Sequence, residues 1–164
     1  MSKQEIKKES RIKTIKKSWF KIISPKFFGQ QELGESYRHT PDSAIGRTLR
    51  YNLKELTGNV KDQNAYLLFQ IDRLVGTMLH TKVVGYELTI SSVKRMVKKN
   101  TTRLDDYFTA VSREGQKVII KSVLITSIKV QRGVGKALKR TMQKTVQDDL
   151  SKHDFTTFIG NLAS

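Results

Sequence analysis

The sequence predicts an α+β fold: an antiparallel, β-barrel-like sheet of about six or seven strands, with two or three helices and a basic N-terminal extension. Several segments alternate apolar and polar residues, which is the period of a strand with one buried face. Glycines separate neighbouring strand segments by short connections, as in hairpins. Near the C-terminus apolar residues recur every fourth position, as in a helix with one buried face. Short-connected strands of this number favour a sheet that curls toward a barrel.

The first strand is predicted at 19–23. It stops before Pro25, whose missing backbone donor places this segment at a sheet edge or at a strand end. Gly34 and the 39–42 stretch predict turns. In the next strand Leu49, Tyr51 and Leu53 alternate with polar residues, and a turn-like segment then ends at 57–59.

Two hairpins follow. The first joins strands at 65–75 and 78–87 through Gly76, and the second joins 104–113 and 116–126 through Glu114-Gly115. Glycine suits both turns because it adopts the positive φ that a tight connection requires.

Three helices complete the prediction. The first spans 90–99, with Thr89 as its N-cap and an apolar face of Ile90, Val93 and Val97. The second spans 133–150. It carries an apolar row that should pack on the sheet, and a basic row displaced by two residues, about 200° around the axis. The apolar row is Val134, Leu138, Met142 and Val146, and the basic row is Lys136, Arg140 and Lys144. A third, short helix is predicted at 155–162.

Composition narrows the class of protein. The chain has no Cys, which excludes disulfides and thiol chemistry and suits a reducing compartment. Its N-terminus lacks the apolar run of a secretory signal, and its apolar stretches are shorter than a bilayer span. We therefore expect a soluble, cytosolic protein with a basic arm at 1–18 and one β-rich domain with C-terminal helices at 19–164, for which the charge pattern described next predicts RNA binding.

The positive charge is concentrated in three segments. Residues 1–26, 94–103 and 129–144 together hold 20 of the 31 Lys and Arg residues but only two of the 15 Asp and Glu residues. The rest of the chain is nearly neutral, so the net charge of +16 arises from these segments. Separate basic segments on a nearly neutral domain indicate a polyanionic partner, above all nucleic acid.

Like charges four residues apart on a helix repel each other, and the 129–144 segment contains no acid to offset them. Binding of phosphates explains such a row better than solvation alone. Basic residues beside Trp19, Phe20, Phe27 and Phe28 also suit recognition of single-stranded RNA by stacking. The alternative is that these aromatics anchor the first strand in the core, which we favour for Phe20.

The candidate RNA-binding residues fall into the same three segments. They are Lys7, Lys8, Arg11, Lys13, Lys16, Lys17, Trp19, Lys21 and Lys26 in the first, Lys94, Arg95, Lys98, Lys99 and Arg103 in the second, and Lys129, Arg132, Lys136, Lys139, Arg140 and Lys144 in the third.

Other functions fit the sequence less well. Membrane binding would require a basic helix with a massed apolar face, which the first 17 residues lack. Gly133-Val134-Gly135-Lys136 resembles a phosphate loop, but Val130 and Ala137 occupy positions where that motif has Gly and Ser or Thr. These glycines either expose helix amides to a phosphate or serve turn chemistry alone.

A metal-dependent ribonuclease would need carboxylates that converge on one ion. Asp105 and Asp106 are adjacent in a predicted strand, so their side chains point to opposite faces. The three His residues have no metal-like spacing. We therefore predict no catalytic site, no metal and no cofactor. A free RNA- or DNA-binding regulator remains the alternative to a structural RNA-binding protein.

Particular strings resemble a known family. Residues 17–29, KSWFKIISPKFFG, are similar to the opening of the eukaryotic-type S-one, or S-three-A-e, small-subunit ribosomal proteins of archaea and eukaryotes. The segments 46–53, 56–58, 85–89, 92–105 and 114–118 follow the same pattern, so the resemblance covers about Lys17 to Leu162. The compact spacing is most similar to archaeal members.

The resemblance implies a structural component of the small ribosomal subunit with a barrel-like sheet and helices. It further implies binding of rRNA on the platform near the mRNA exit, beside other platform proteins and near mRNA, and it implies no catalysis. Family members continue past the last predicted helix into another helix and a closing strand, whereas this sequence ends at Ser164. The resemblance therefore leaves the strand order near the C-terminus open.

Overall fold

The structure, a computed structural model, describes residues 16–163. The described residues form seven strands and four α-helices, joined in part by short 3-10 helices at Lys26–Phe28, Pro41–Ala44 and Val60–Asn64. The strands are β1 Ser18–Ile23, β2 Glu32–Arg38, β3 Thr48–Asn52, β4 Ala65–Val75, β5 Met78–Leu88, β6 Arg103–Val111 and β7 Lys117–Ile125. The helices are α1 Leu53–Thr57, α2 Ile90–Met96, α3 Arg132–Lys152 and α4 Phe155–Ala163.

The α+β class and the strand number are confirmed, but the single barrel-like sheet is wrong. Within the described residues the strands form two sheets, one of five strands in the order β2-β1-β5-β4-β3 and one consisting of the β6–β7 hairpin, and neither closes into a barrel. The β1–β5 pair is parallel, because Lys21 to Ile23 run alongside Met78 to His80 in the same direction. Alternation of apolar and polar residues predicts which face of the sheet each side chain lies on, but not which strand pairs with which. The parallel pairing of β1 with β5 could therefore not be predicted from this pattern.

Strand β2 corrects a second expectation. Gly34 lies inside this strand and pairs with Ile22, next to a register shift at Ile22–Ile23, rather than forming a turn. Strand β1 lies between β2 and β5, so the segment before Pro25 is not at the edge of the sheet. Of the two positions that Pro25 predicted for this segment, the strand end is correct and the sheet edge is wrong. Gly and Ser weaken the apolar alternation of β2, which hid it from a sequence pattern.

Both predicted hairpins are confirmed to within a few residues. The β4–β5 turn holds Gly76 at φ 63°, and the β6–β7 turn holds Gly115 at φ 80°. These backbone angles lie in the left-handed region that glycine adopts without strain. The side chains of Leu67 and Phe69 in β4 are fully buried and point into the hydrophobic core on one face of the five-stranded sheet.

The main hydrophobic core lies on one face of this sheet. It joins side chains from β1, β2, β4 and β5 to Leu53 and Leu56 of α1 and to Ile159 of α4. Leu53 thus begins a helix instead of ending strand β3, and Gly58 ends that helix at φ 71°. No residue of β6, β7 or α3 belongs to this core among the described side chains.

Helix α2 begins as predicted, because the Thr89 side chain accepts a hydrogen bond from the Ser92 amide. It ends at Met96 rather than at residue 99. Of its predicted apolar face only Val93 is half-buried, since Ile90 is 74% exposed and Val97 37% exposed, while Ser92 is buried.

The predicted apolar row of α3 is correct in the second half of the helix and wrong in the first. Met142 and Val146 are half-buried and Leu150, which continues the row, is buried. Val134 and Leu138 are exposed, and Gly135 is the buried residue at that end. A Cβ atom at Gly135 would lie only 3.2 Å from Leu104 Cδ2, so the missing side chain lets helix and strand approach closely. Helix α4 is confirmed, and of the helices in residues 16–163 none combines the length and apolar character needed to cross a membrane.

The two glycines of α3 give a direct test of this contact. Gly135→Leu should lower the free energy of unfolding by about 1–3 kcal/mol, because the new side chain overpacks against Leu104. Gly133→Leu is the matched control, since a Cβ atom there meets nothing within 4 Å. Thermal melting of both variants checks the prediction, and an equal loss in the two would show that the close approach at Gly135 is not needed.

Candidate nucleic-acid interface

Two of the three basic segments meet at one end of the β6–β7 hairpin. The Thr102 amide donates to Thr126 Oγ1 at 3.0 Å, and the Val130 amide donates to Thr102 Oγ1 at 3.1 Å. These bonds tie the chain before β6 to the chain before α3. A groove of about 420 Å³ lies at this junction, lined among others by Leu104, Arg132 and Lys136. The end of the 94–103 segment and the start of the 129–144 segment therefore lie side by side.

Lys98 and Lys99 of the 94–103 segment lie in a tight turn. Thr101 Oγ1 donates to the Lys98 carbonyl at 2.7 Å and accepts from the Lys98 amide at 3.2 Å. Asn100 takes φ 66° at this turn, a left-handed conformation that Asn tolerates better than most residues. Lys98 and Lys99 are both exposed there.

The basic row of α3 faces solvent along its length, as predicted. Lys136, Arg140 and Lys144 are all exposed. The four ion pairs within the described chain lie elsewhere, so no carboxylate neutralises this row; they are Lys21–Glu32, Arg50–Glu87, Lys82–Asp72 and Arg103–Asp105. We define the basic surface as Lys98, Lys99, Lys129, Arg132, Lys136, Arg140 and Lys144.

Contacts on a neighbouring face of α3 set the orientation of this row. The Lys139 ammonium donates to the Asp105 carbonyl, and the Gln143 amide donates to Asp106 Oδ2 at 2.7 Å. Lys139 is thus the one basic candidate of α3 that points toward β6, and it is partly buried. Its position indicates a structural role in docking α3.

Three other candidates already have partners. Arg95 donates to Asn64 Oδ1 at 2.8 Å, and Arg103 pairs with Asp105 at 2.8 Å. Lys21 donates to Glu32 at 3.0 Å, and this hydrogen bond, followed by the carboxylate charge, raises the pKa of Lys21. A phosphate would compete with these contacts.

The structure separates the aromatic residues near β1. Phe20 is buried in the main core, as expected, and Phe28 packs edge-on against Phe69 at 6.0 Å between ring centroids. Phe27 is exposed on one side, but its ring lies where a side chain at Gly160 would go. Trp19 is 63% exposed and contacts a residue that the sequence analysis missed, Tyr37. Pairing the 19–23 segment with 32–38 would have found it.

The remaining basic candidates divide by what the structure describes. Lys7, Lys8, Arg11 and Lys13 lie outside the described residues, as does most of the predicted arm. Of the remaining described candidates, Lys16, Lys17, Lys26 and Lys94 are exposed.

Gly133 and Gly135 lie in the first turn of α3, and of the two only Gly135 serves packing. Gly135 is buried against Leu104, and its amide already donates to the Gln131 carbonyl at 3.0 Å. The two adjacent aspartates point to different partners, Asp105 to Arg103 and Asp106 to Gln143, as expected for neighbours in a strand. Within residues 16–163 no group of three or more His, Cys, Asp or Glu side chains is placed to hold a metal ion.

The chain is similar to ribosomal proteins of several archaea. The chain is 30% identical to the small ribosomal subunit protein eS1 of Archaeoglobus fulgidus over 93% of this chain and 74% of that protein. It is 27% identical to the protein of the same name from Haloarcula marismortui, over 99% of this chain and 74% of that protein. The corresponding protein of Methanobrevibacter smithii is 27% identical over 100% of this chain and 88% of its own length. The sequence model of the Ribosomal S3Ae family matches residues 5–164, and the chain belongs to this family.

Proposed function

We propose that this chain is a structural component of the small ribosomal subunit and binds rRNA phosphates through the basic surface. The observation that carries the proposal is the row of Lys136, Arg140 and Lys144, which is exposed and has no ion-pair partner in the described chain. Like charges at this spacing cost a few tenths of a kcal/mol per pair in the free protein. Phosphates along an RNA backbone would remove that cost and gain charge-assisted hydrogen bonds.

Family membership supports the same conclusion from an independent direction, since the relatives are named small ribosomal subunit proteins. We further propose the platform near the mRNA exit as its location, with neighbouring platform proteins and mRNA as partners, in the cytoplasm. The separate contacts of Asp105 and Asp106 support a structural role over a ribonuclease.

The basic row can be tested with a charge-matched control. Replacing Lys136, Arg140 and Lys144 together by Gln should weaken binding to small-subunit rRNA fragments and reduce the slope of log K against log[salt] by about 2–3, because each lost phosphate contact removes about 0.7–0.9. The control replaces Lys54, Lys61 and Lys117, which are exposed and lie outside the three basic segments. Salt titrations of both variants by filter binding give the slopes. Equal slopes in the two variants would make the row an ordinary solvated face.

The N-terminal arm gives a second prediction. Deleting residues 1–17, which carry seven Lys and Arg residues, should lower RNA affinity and flatten its salt dependence. The melting temperature should change little, because the main core begins at Phe20. A salt slope unchanged by the deletion would remove the arm from the RNA-binding surface.

Assembly distinguishes a ribosomal component from a free RNA- or DNA-binding regulator. A tagged copy of the full chain should sediment with small subunits in a sucrose gradient and stay with them after a high-salt wash. A regulator would leave the particles, because contacts made only by surface charges weaken steeply with salt. Recovery of the washed protein at the top of the gradient would refute the proposed role.

A further inference from the structure

An exposed pair of aromatic rings lies on β1 and β2, on the face of the sheet that points away from the main core. Trp19 and Tyr37 lie directly opposite each other in the strand register, and their ring centroids are 4.8 Å apart at an interplanar angle of 35°. Trp19 is 63% exposed and Tyr37 48% exposed. Phe20 and Ile22, on the inner face of the same strand, already anchor β1 in the core. The pair is therefore not needed to hold the strand in place.

Charge is unevenly distributed around the pair. The Lys17 ammonium lies 5.8 Å from the Tyr37 ring centroid, and neighbouring Lys16 is also exposed. At the other end Lys21 is neutralised by Glu32 at 3.0 Å, and Glu35 lies opposite Lys21 in the register. One end of the aromatic pair thus carries uncompensated positive charge, while the other does not. A ligand with a flat ring and one adjacent negative group would match this arrangement.

A nucleotide of single-stranded RNA has that chemistry. In a duplex both faces of each base are covered by its neighbours, so exposed aromatic side chains stack only on unpaired bases. We propose that Trp19 and Tyr37 form a stacking site for an unpaired RNA base, with Lys16 and Lys17 binding the adjacent phosphate. This inference rests on the proposed function and deepens it, because it assigns unpaired RNA to this side of the molecule.

The chain provides its own probe, since Trp19 is its single tryptophan. The full chain is titrated with a single-stranded oligoadenylate of about 12 nucleotides, within the range that such sites cover. The comparison ligands are the same strand with abasic positions and an RNA duplex with the same number of phosphates. The stacking site predicts quenching of tryptophan fluorescence by the intact single strand alone. Quenching by all three ligands, or by none, would overturn it.

Variants separate stacking from charge. Filter binding, which does not depend on the tryptophan, should show that Trp19→Ala weakens binding of the single strand about 5- to 150-fold, the range for losing one base–aromatic stack, and leaves duplex binding unchanged. Trp19→Phe should retain much of the affinity because it keeps a ring. The matched control is Tyr107→Ala, since Tyr107 is also a strand aromatic and is 61% exposed. Circular dichroism confirms that each variant is folded.

The outcomes distinguish the two proposals. If the chain binds duplex and single strand equally, and Trp19→Ala behaves like Tyr107→Ala, the stacking site is refuted while RNA binding stands. If the chain binds none of the three ligands at low salt, the proposed function itself fails.

Discussion

The close contact between α3 and β6 determines what this protein presents to a partner. Gly135 lets the helix approach Leu104, and two hydrogen bonds from Lys139 and Gln143 to the aspartates of β6 fix the rotation of the helix about its axis. At 100° per residue, Arg140 and Lys144 lie progressively farther around the axis from Lys139 than Lys136 does, so this rotation leaves the basic row exposed beside the contact with β6. A different rotation would turn the same charges toward the sheet.

The distribution of carboxylates makes this orientation effective. The described ion pairs involve strand residues of the two sheets, where Glu87 and Asp72 hold nearby cations, whereas the segment that forms most of α3 carries no acid before Asp148. Exposed ion pairs contribute little to stability, but they remove positive charge from the surface they occupy. Part of the positive charge on the sheets is therefore compensated, whereas that of the basic row on α3 is not.

Elements defined by local rules were predicted well from the sequence. The hairpins around Gly76 and Gly115, the Thr89 cap and the extents of α3 and α4 all follow from short-range patterns. Features that depend on distant pairing were not predicted, namely strand β2, the parallel contact of β1 with β5 and the division into two sheets. The buried face was misplaced in the first half of α3, because Gly135, which has no apolar side chain, marks it there. Within the interface the exposed basic row was predicted, but its junction with the 94–103 segment and the Trp19–Tyr37 pair required the fold.

The separation of the hairpin and α3 from the main core has a consequence for dynamics. Since neither β6, β7 nor α3 contributes to that core in the described residues, the hairpin and its helix can open without exposing Phe69 or Leu67. Their backbone amides should then exchange with solvent by a sub-global opening of lower free energy than complete unfolding. A partner that binds the exposed face of α3 would stabilise the closed form and suppress this opening. The stability of the β6–β7 hairpin and α3 would then be higher in the bound protein than in the isolated chain.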